Sequence, residues 1–351
     1  ASNSFKLAGN TDLPMEKTND EVANYINARD SHFKILKSQY VMMVLFKVIV
    51  AAGLLIVGSM LVMDQQMNIG QFVAAEIIIL LIINSVEKMI LSLETMYDII
   101  TSLEKIGQVT DMELETESGM NIHEMDLNGG LKVEMSDVHF HYPEQEHKIF
   151  NNASLKIQSG EKVLILGDGG SGKTTLLYLL NGLYKVQDGT IAFNDLPMGN
   201  LNPLHLRSIV GNCLLDELLF DGTILENITM GRTDITFKNV QWIVENLGLS
   251  KFIKSLPEGY NTMVRAQGRP FSRGNIDKLI LARAVVGNPK LVLVKDAFTT
   301  LKETEHKRIF TFLTDPSNPW TLVISSSHDG LKSLVDKTIV LETGTLTELK
   351  K

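Results

Sequence analysis

Residues 41–63 read VMMVLFKVIVAAGLLIVGSMLVM, 23 residues with a single charge, Lys47. No other stretch narrows the possible folds so much. At 1.5 Å per residue a helix of this length spans about 35 Å, and a bilayer core is about 30 Å thick. A second apolar run, FVAAEIIILLIIN over residues 72–84, continues in helical spacing, so the two spans are placed at about residues 41–63 and 72–91. Between them lies DQQMNIG, residues 64–70, a short polar turn that makes the spans an antiparallel pair. Lys34 and Lys37 precede the first span, Lys88 and Lys105 lie past the apolar part of the second, and the turn has no positive charge. The positive-inside rule then puts both outer ends in the cytoplasm. Lys47 and Glu76 are costly in lipid. Lys47 lies near one end of its span and can snorkel, and either residue can face a water-filled cavity. Residues 1–40 and 85–110 are polar but helically patterned, so helices are expected to continue beyond the membrane. A pair of buried helices in a soluble protein fits less well, because the first span is too evenly apolar for an amphipathic helix.

A length of 351 residues suggests two domains. Six carboxylates and no Lys or Arg fall between positions 111 and 126, so residues 113–130 are expected to form an acidic linker between a membrane segment, 1–112, and a second domain, 131–351. A net charge of −8 without a basic block argues against a nucleic-acid partner. The lone Cys213 excludes a disulfide within the chain and reads as a small buried thiol. The first ten residues lack the charged-then-apolar order of a leader, and position 1 is Ala rather than Met, so upstream sequence is expected.

LKVEMSDVHFHYP alternates as a strand does, and KVLIL, residues 162–166, is a short apolar strand. Next comes Gly167-Asp168-Gly169-Gly170-Ser171-Gly172-Lys173-Thr174, which satisfies G-x-x-x-x-G-K-[ST] at every fixed position, with a helix expected over 175–183. Glycines let consecutive N–H groups turn toward one phosphate, and the helix start adds its positive dipole end. Lys173 reaches the β- and γ-phosphates, and the Thr174 hydroxyl can ligate Mg²⁺. Gly167 to Thr175 are therefore the candidate residues for holding the phosphates. The loop by itself does not separate a kinase, a GTPase and a transport ATPase, although no N-K-x-D run for guanine is present.

The order of segments after the loop resembles the ATP-binding domain of ABC exporters over nearly all of residues 131–351. The stretches that carry the resemblance are HFHYP, LLFDGTILENI, LPEGYNTMVRAQGRPFSRGN, LILARAVVGNPKLVLV, ISSSHDG and VDKTIVLETGTLTEL. The hairpin likewise resembles the last two membrane helices of an exporter subunit. The resemblance implies an α-helical transmembrane segment followed by an α/β P-loop domain of ABC type. It places Tyr142 where the family stacks an aromatic ring on adenine, and His328 at the switch histidine.

The departures from the family pattern concern charge. The Q-loop glutamine position holds Leu215. The signature reads Phe271-Ser272-Arg273-Gly274-Asn275, keeping Ser272 and Gly274 but with Arg273 for a glycine. The Walker B carboxylate pair reads Lys295–Asp296, and Lys302 replaces the D-loop aspartate. Ala297 and Leu301 keep the family spacing, so no shift of register restores a carboxylate pair. A cation in place of the metal-organising aspartate works against a divalent ion, since two unit charges 4 Å apart interact by about 4 kcal/mol at an effective dielectric of 20. Asp296, one methylene shorter than the usual glutamate, has reduced reach as a base, a role commonly worth ~10²–10⁴-fold. Asp296 and His328 are the candidate catalytic residues, both compromised.

The resemblance implies ATP and Mg²⁺ as cofactors and a second half-transporter subunit as partner, forming a homodimer or a heterodimer. One composite site uses this chain's Lys173, Thr174 and Tyr142, and the other uses its Ser272 and Gly274. It also implies a multi-pass protein of a bacterial inner membrane with the ATP-binding domain in the cytoplasm, and admits a periplasmic adaptor. Degenerate motifs keep open a second reading, a regulatory or structural membrane ATP-binding protein that transports nothing.

Overall fold

The computed structural model describes residues 12–112, 114–115, 118–121, 129–143, 145, 147–214, 218–265, 271–295, 298, 301–327 and 329–349. The chain divides into two compact units, Ala1–Leu114 and Glu115–Lys351.

The first unit is a helical hairpin. Helix α1, Leu13–Met63, and helix α2, Ile69–Thr110, are both long and apolar enough to cross a membrane. Only 11% and 6% of their apolar windows are buried, so neither is the core helix of a soluble unit made by the described residues. The turn between them ends at Asn68, whose side chain accepts from the Gln71 N–H at 2.8 Å, while the Gln71 side chain accepts from the Asn68 N–H at 3.1 Å. This reciprocal cap satisfies two donors that a helix start leaves free. The helices approach at Gly58, where an added Cβ would lie 2.3 Å from Cε2 of Phe72. Lys47 does not stand alone in its span: it is ion-paired with Glu87 of α2, beside a cavity of about 390 Å³ that Met43 and Phe46 also line.

The second unit is built on a sheet of β12-β11-β3-β10-β9-β6. Its strands are β3 (Lys162–Leu166), β6 (Val210–Cys213), β9 (Leu291–Lys295), β10 (Thr321–Ser326), β11 (Lys337–Glu342) and β12 (Thr345–Leu349). All pairs are parallel except β11 with β12. Parallel strands covered on both faces are continuous apolar runs, as KVLIL and LVLVK are here. The two faces bury alternate residues. Leu164, Val292, Val294, Leu322 and Ile324 enter a core with helix α8 (Arg273–Val285) and helix α9 (Glu303–Thr314). Val163, Ile165, Leu291, Leu293 and Val323 enter a second core with helix α3 (Lys173–Leu180) and the antiparallel sheet of β1 (Val133–Phe140), β2 (Phe150–Ile157) and β4 (Asp188–Phe193).

Helix α3 starts two residues before the expected 175 and stops at Leu180, three short of the expected end. Gly182 adopts φ +68°, a left-handed conformation that closes a helix. Part of the stretch expected as a linker is fastened to the second unit: the N–H of Met120 donates to Asn200 O at 2.8 Å, and Glu115 is ion-paired with Arg207. Gly119, at φ +131°, admits this contact, because a Cβ there would lie 2.6 Å from the carbonyl carbon of Leu201.

Candidate functional site

The phosphate loop joins β3 to α3. Gly170 and Gly172 hold φ of +83° and +103°, which L side chains rarely adopt. At Gly167 the restriction is space, since a Cβ would lie 2.5 Å from Leu341 O. Side-chain oxygens of Asn202, Thr223, Thr236 and Ser272 cap the helices that follow them, whereas Gly172 places none on the start of α3. The N–H groups of that first turn are thus left to a ligand. Lys173 Nζ donates to Gly167 O at 2.5 Å and to Asp168 O at 2.7 Å. Burial holds the Lys173 ammonium below its usual pKa, and the charge of Lys295 pushes the same way against Asp168. The Ser171 Oγ is buried and has no partner among the described residues.

Asp168 to Ser171 line a cavity of about 540 Å³ with His147, Lys148 and Thr343 on its other wall. A larger cavity, about 770 Å³, holds no loop residue and is lined by Tyr178, Tyr184, Arg207, Asn212, Arg232 and Arg283 among others. Of the loop glycines, Gly169 and Gly170 line the smaller cavity, and none lines the larger.

Tyr142 is half-buried next to the first turn of α3. Its hydroxyl bonds with Thr175 Oγ1 at 2.9 Å, and its ring meets Phe140 and Tyr184 edge-on at centroid distances of 5.3 Å each. Thr175 is buried, and its hydroxyl is hydrogen-bonded to that of Tyr142. Thr174 and Lys173 are half-buried, and Asp168, Gly169 and Gly170 are exposed.

Ser272 and Gly274 sit at the start of α8, Ser272 exposed and Gly274 half-buried. Arg273 does not reach into solvent alone: its Nε donates to Asp277 Oδ1 at 2.9 Å. Burial pushes the Asp277 carboxyl up, against the opposing pull of Arg273. Lys302 is exposed at the start of α9. Leu215, Asp296, Ala297 and His328 lie outside the described residues. Sequence reasoning missed Ser325, a buried hydroxyl on β10 with no partner among the described residues. Its signal in the sequence is a pair of serines closing an apolar strand.

The profile of the ABC transporter family matches residues 150–299. The chain is 28% identical over 291 residues to the alpha-hemolysin translocation ATP-binding protein HlyB of Escherichia coli, covering 83% of this chain and 41% of that protein. It is 35% identical over 193 residues to the mitochondrial ATP-binding cassette sub-family B member 10 of Mus musculus, covering 54% of this chain and 27% of that one. A solved bacterial Atm1-family ABC exporter with ATP bound superposes with a TM-score of 0.63 at 25% identity, covering 71% of this chain and 43% of that structure. The chain thus spans less than half the length of these relatives. The matched profile, the phosphate loop on a parallel sheet and the exporter-like fold make the second unit an α/β P-loop domain of ABC type, following a helical hairpin in the chain.

Proposed function

We propose that this chain is the C-terminal part of an ABC exporter half-transporter. In this reading it binds ATP at an intact phosphate loop and hydrolyses it slowly or not at all. One observation carries the reading: the cradle of Gly167 to Thr174 is complete, while the strand end beside it presents Lys295 instead of a carboxylate. Lys173 and the N–H groups of the first turn of α3 would hold the phosphates. Tyr142, anchored by Thr175 and two aromatic edges, would carry the base on its ring. Without a carboxylate at the end of β9 the attacking water lacks its usual organisation, and Asp296 and His328 are left as weak catalytic groups.

The pairing with a second subunit follows the same logic. Head-to-tail assembly would join this chain's loop to the partner's signature, and its Ser272 and Gly274 to the partner's loop. A chain that hydrolyses poorly at its own site fits a heterodimer in which the partner supplies the working carboxylates, and a homodimer would turn over slowly. We place the hairpin in a bacterial inner membrane as part of a multi-pass domain, with the ATP-binding unit cytoplasmic and a periplasmic adaptor as an admissible further partner.

The test is single-turnover hydrolysis by the purified chain with radiolabelled ATP in excess protein. Bound ATP that persists for many minutes supports the reading. A rate equal to that of an exporter with intact carboxylates sinks it.

A further inference from the structure

The edge of the parallel sheet where β3, β10 and β9 end carries more positive charge than the loop supplies. Ile165, Ser325 and Lys295 stand opposite one another across these strands. Residues opposite one another in neighbouring strands share a face of the sheet. Earlier members of the same row, Val163, Val323 and Leu293, pack into the core that α3 covers. Lys295 therefore closes a row on the α3 face, two strands from the loop, or about 10 Å at ~4.8 Å per strand. A lysine stem and a triphosphate together bridge that gap. Among the described residues Lys295 makes no ion pair, although it lines a small cavity with the already paired Arg273 and Asp277, and its charge bears on Lys173. Ser325, 2% exposed, adds to the same row a hydroxyl without a partner among the described residues, and Ser171 adds another on the loop.

Magnesium at such a loop is normally held by the loop hydroxyl together with a carboxylate on the neighbouring strand. Among the described residues the donor set does not fit. Thr174 offers its hydroxyl, the end of β9 offers an ammonium, and no cluster of His, Cys, Asp or Glu suited to a metal occurs among the described residues. We propose that the site takes its nucleoside triphosphate without a metal ion, with Lys295 supplying beside Lys173 the positive charge that a magnesium ion supplies in a carboxylate-bearing site. The inference rests on the nucleotide-binding reading above.

The test is equilibrium binding of radiolabelled ATP to the full chain in detergent, in EDTA and in Mg²⁺. The expected Kd in EDTA is within about threefold of the Kd in Mg²⁺, or tighter. Lys295→Asp should reverse the pattern, with Mg²⁺ tightening binding by about tenfold or more, and Lys295→Gln should weaken binding in EDTA. Loss of wild-type binding on adding EDTA overturns the metal-free inference and leaves nucleotide binding standing. No binding in either buffer overturns both. The wild-type comparison decides the matter even if a variant fails to fold.

Discussion

Two glycines of the phosphate loop separate what the fold needs from what a ligand needs. Gly172 has φ +103° and ψ 6°, and a Cβ there would stand 3.0 Å from Cγ2 of Ile149 and 3.5 Å from Cζ of Phe150. Gly169 has neither a positive φ nor any atom within 4 Å of an added Cβ. Gly172→Ala should therefore cost about 1–2 kcal/mol for the left-handed backbone, with a smaller addition from the Ile149 contact. For a domain of 150–250 residues that lowers the thermal midpoint by roughly 2–8 °C. Gly169→Ala should stay within about 0.5 kcal/mol of the parent. Its methyl would nevertheless project into the open side of the loop, where the proposed site would take its phosphate. ATP affinity should fall about tenfold or more, equivalent to about 1.4 kcal/mol. The assay is thermal unfolding of the full chain in detergent, run beside equilibrium ATP binding for both variants. Adding Ile149→Ala to Gly172→Ala should recover the contact part of the loss and leave the backbone part. Equal midpoint losses for the two single variants would refute the reasoning, as would a Gly169→Ala protein that binds ATP like the parent.

In the hairpin, Lys47→Met or Glu87→Gln singly leaves the partner without its counter-charge, at a cost of about 3 kcal/mol, and Lys47→Met with Glu87→Met should recover most of it. Unfolding in mild detergent checks this, and single variants no weaker than the double would contradict it. Lys162, the first residue of β3, is buried, and its Nζ donates to Asn318 O at 3.0 Å and to Trp320 O at 2.5 Å. Lys162→Met leaves two buried carbonyls unpaired, so a loss of roughly 1–3 kcal/mol for each is expected by chemical denaturation. Burial raises the folded-state pKa of Asp277 above its unfolded value. The folded form then binds more protons than the unfolded form between those two pKa values, so stability falls as pH rises through that window. Asp277→Asn should flatten the fall that sets in above the ordinary aspartate pKa of about 4, as read from midpoints, and an unchanged slope would show that Asp277 is not its source.

Much of this protein is written in local patterns. The apolar run from 41 to 63 is long enough to cross a membrane, and in hydrocarbon such a run must be helical, because nothing there pairs with a backbone N–H or C=O. The polar residues that follow it turn the chain, and Asn68 with Gln71, three positions apart, writes the next helix start. Gly170, Gly172 and Lys173 specify the phosphate loop for the same kind of reason, since φ values and the helix dipole act within a few residues. Burial patterns of β3 and β9 follow from their unbroken apolar composition.

What spacing alone left open are meetings between residues far apart in the chain. Lys47 and Glu87 are 40 positions apart, and nothing in either span names the other. Tyr142 reaches Thr175 across 33 positions, which turns a candidate base-stacking ring into one also anchored by packing. The row of Ile165, Ser325 and Lys295 exists only because β10 lies between β3 and β9, a strand order that no local preference encodes. Sequence supplies the charge of Lys295; the crossover connections of a parallel sheet bring that charge to the edge where Lys173 ends up. Local chemistry acts over one or two turns of chain, whereas strand order is settled by which long-range burial of apolar faces is most complete.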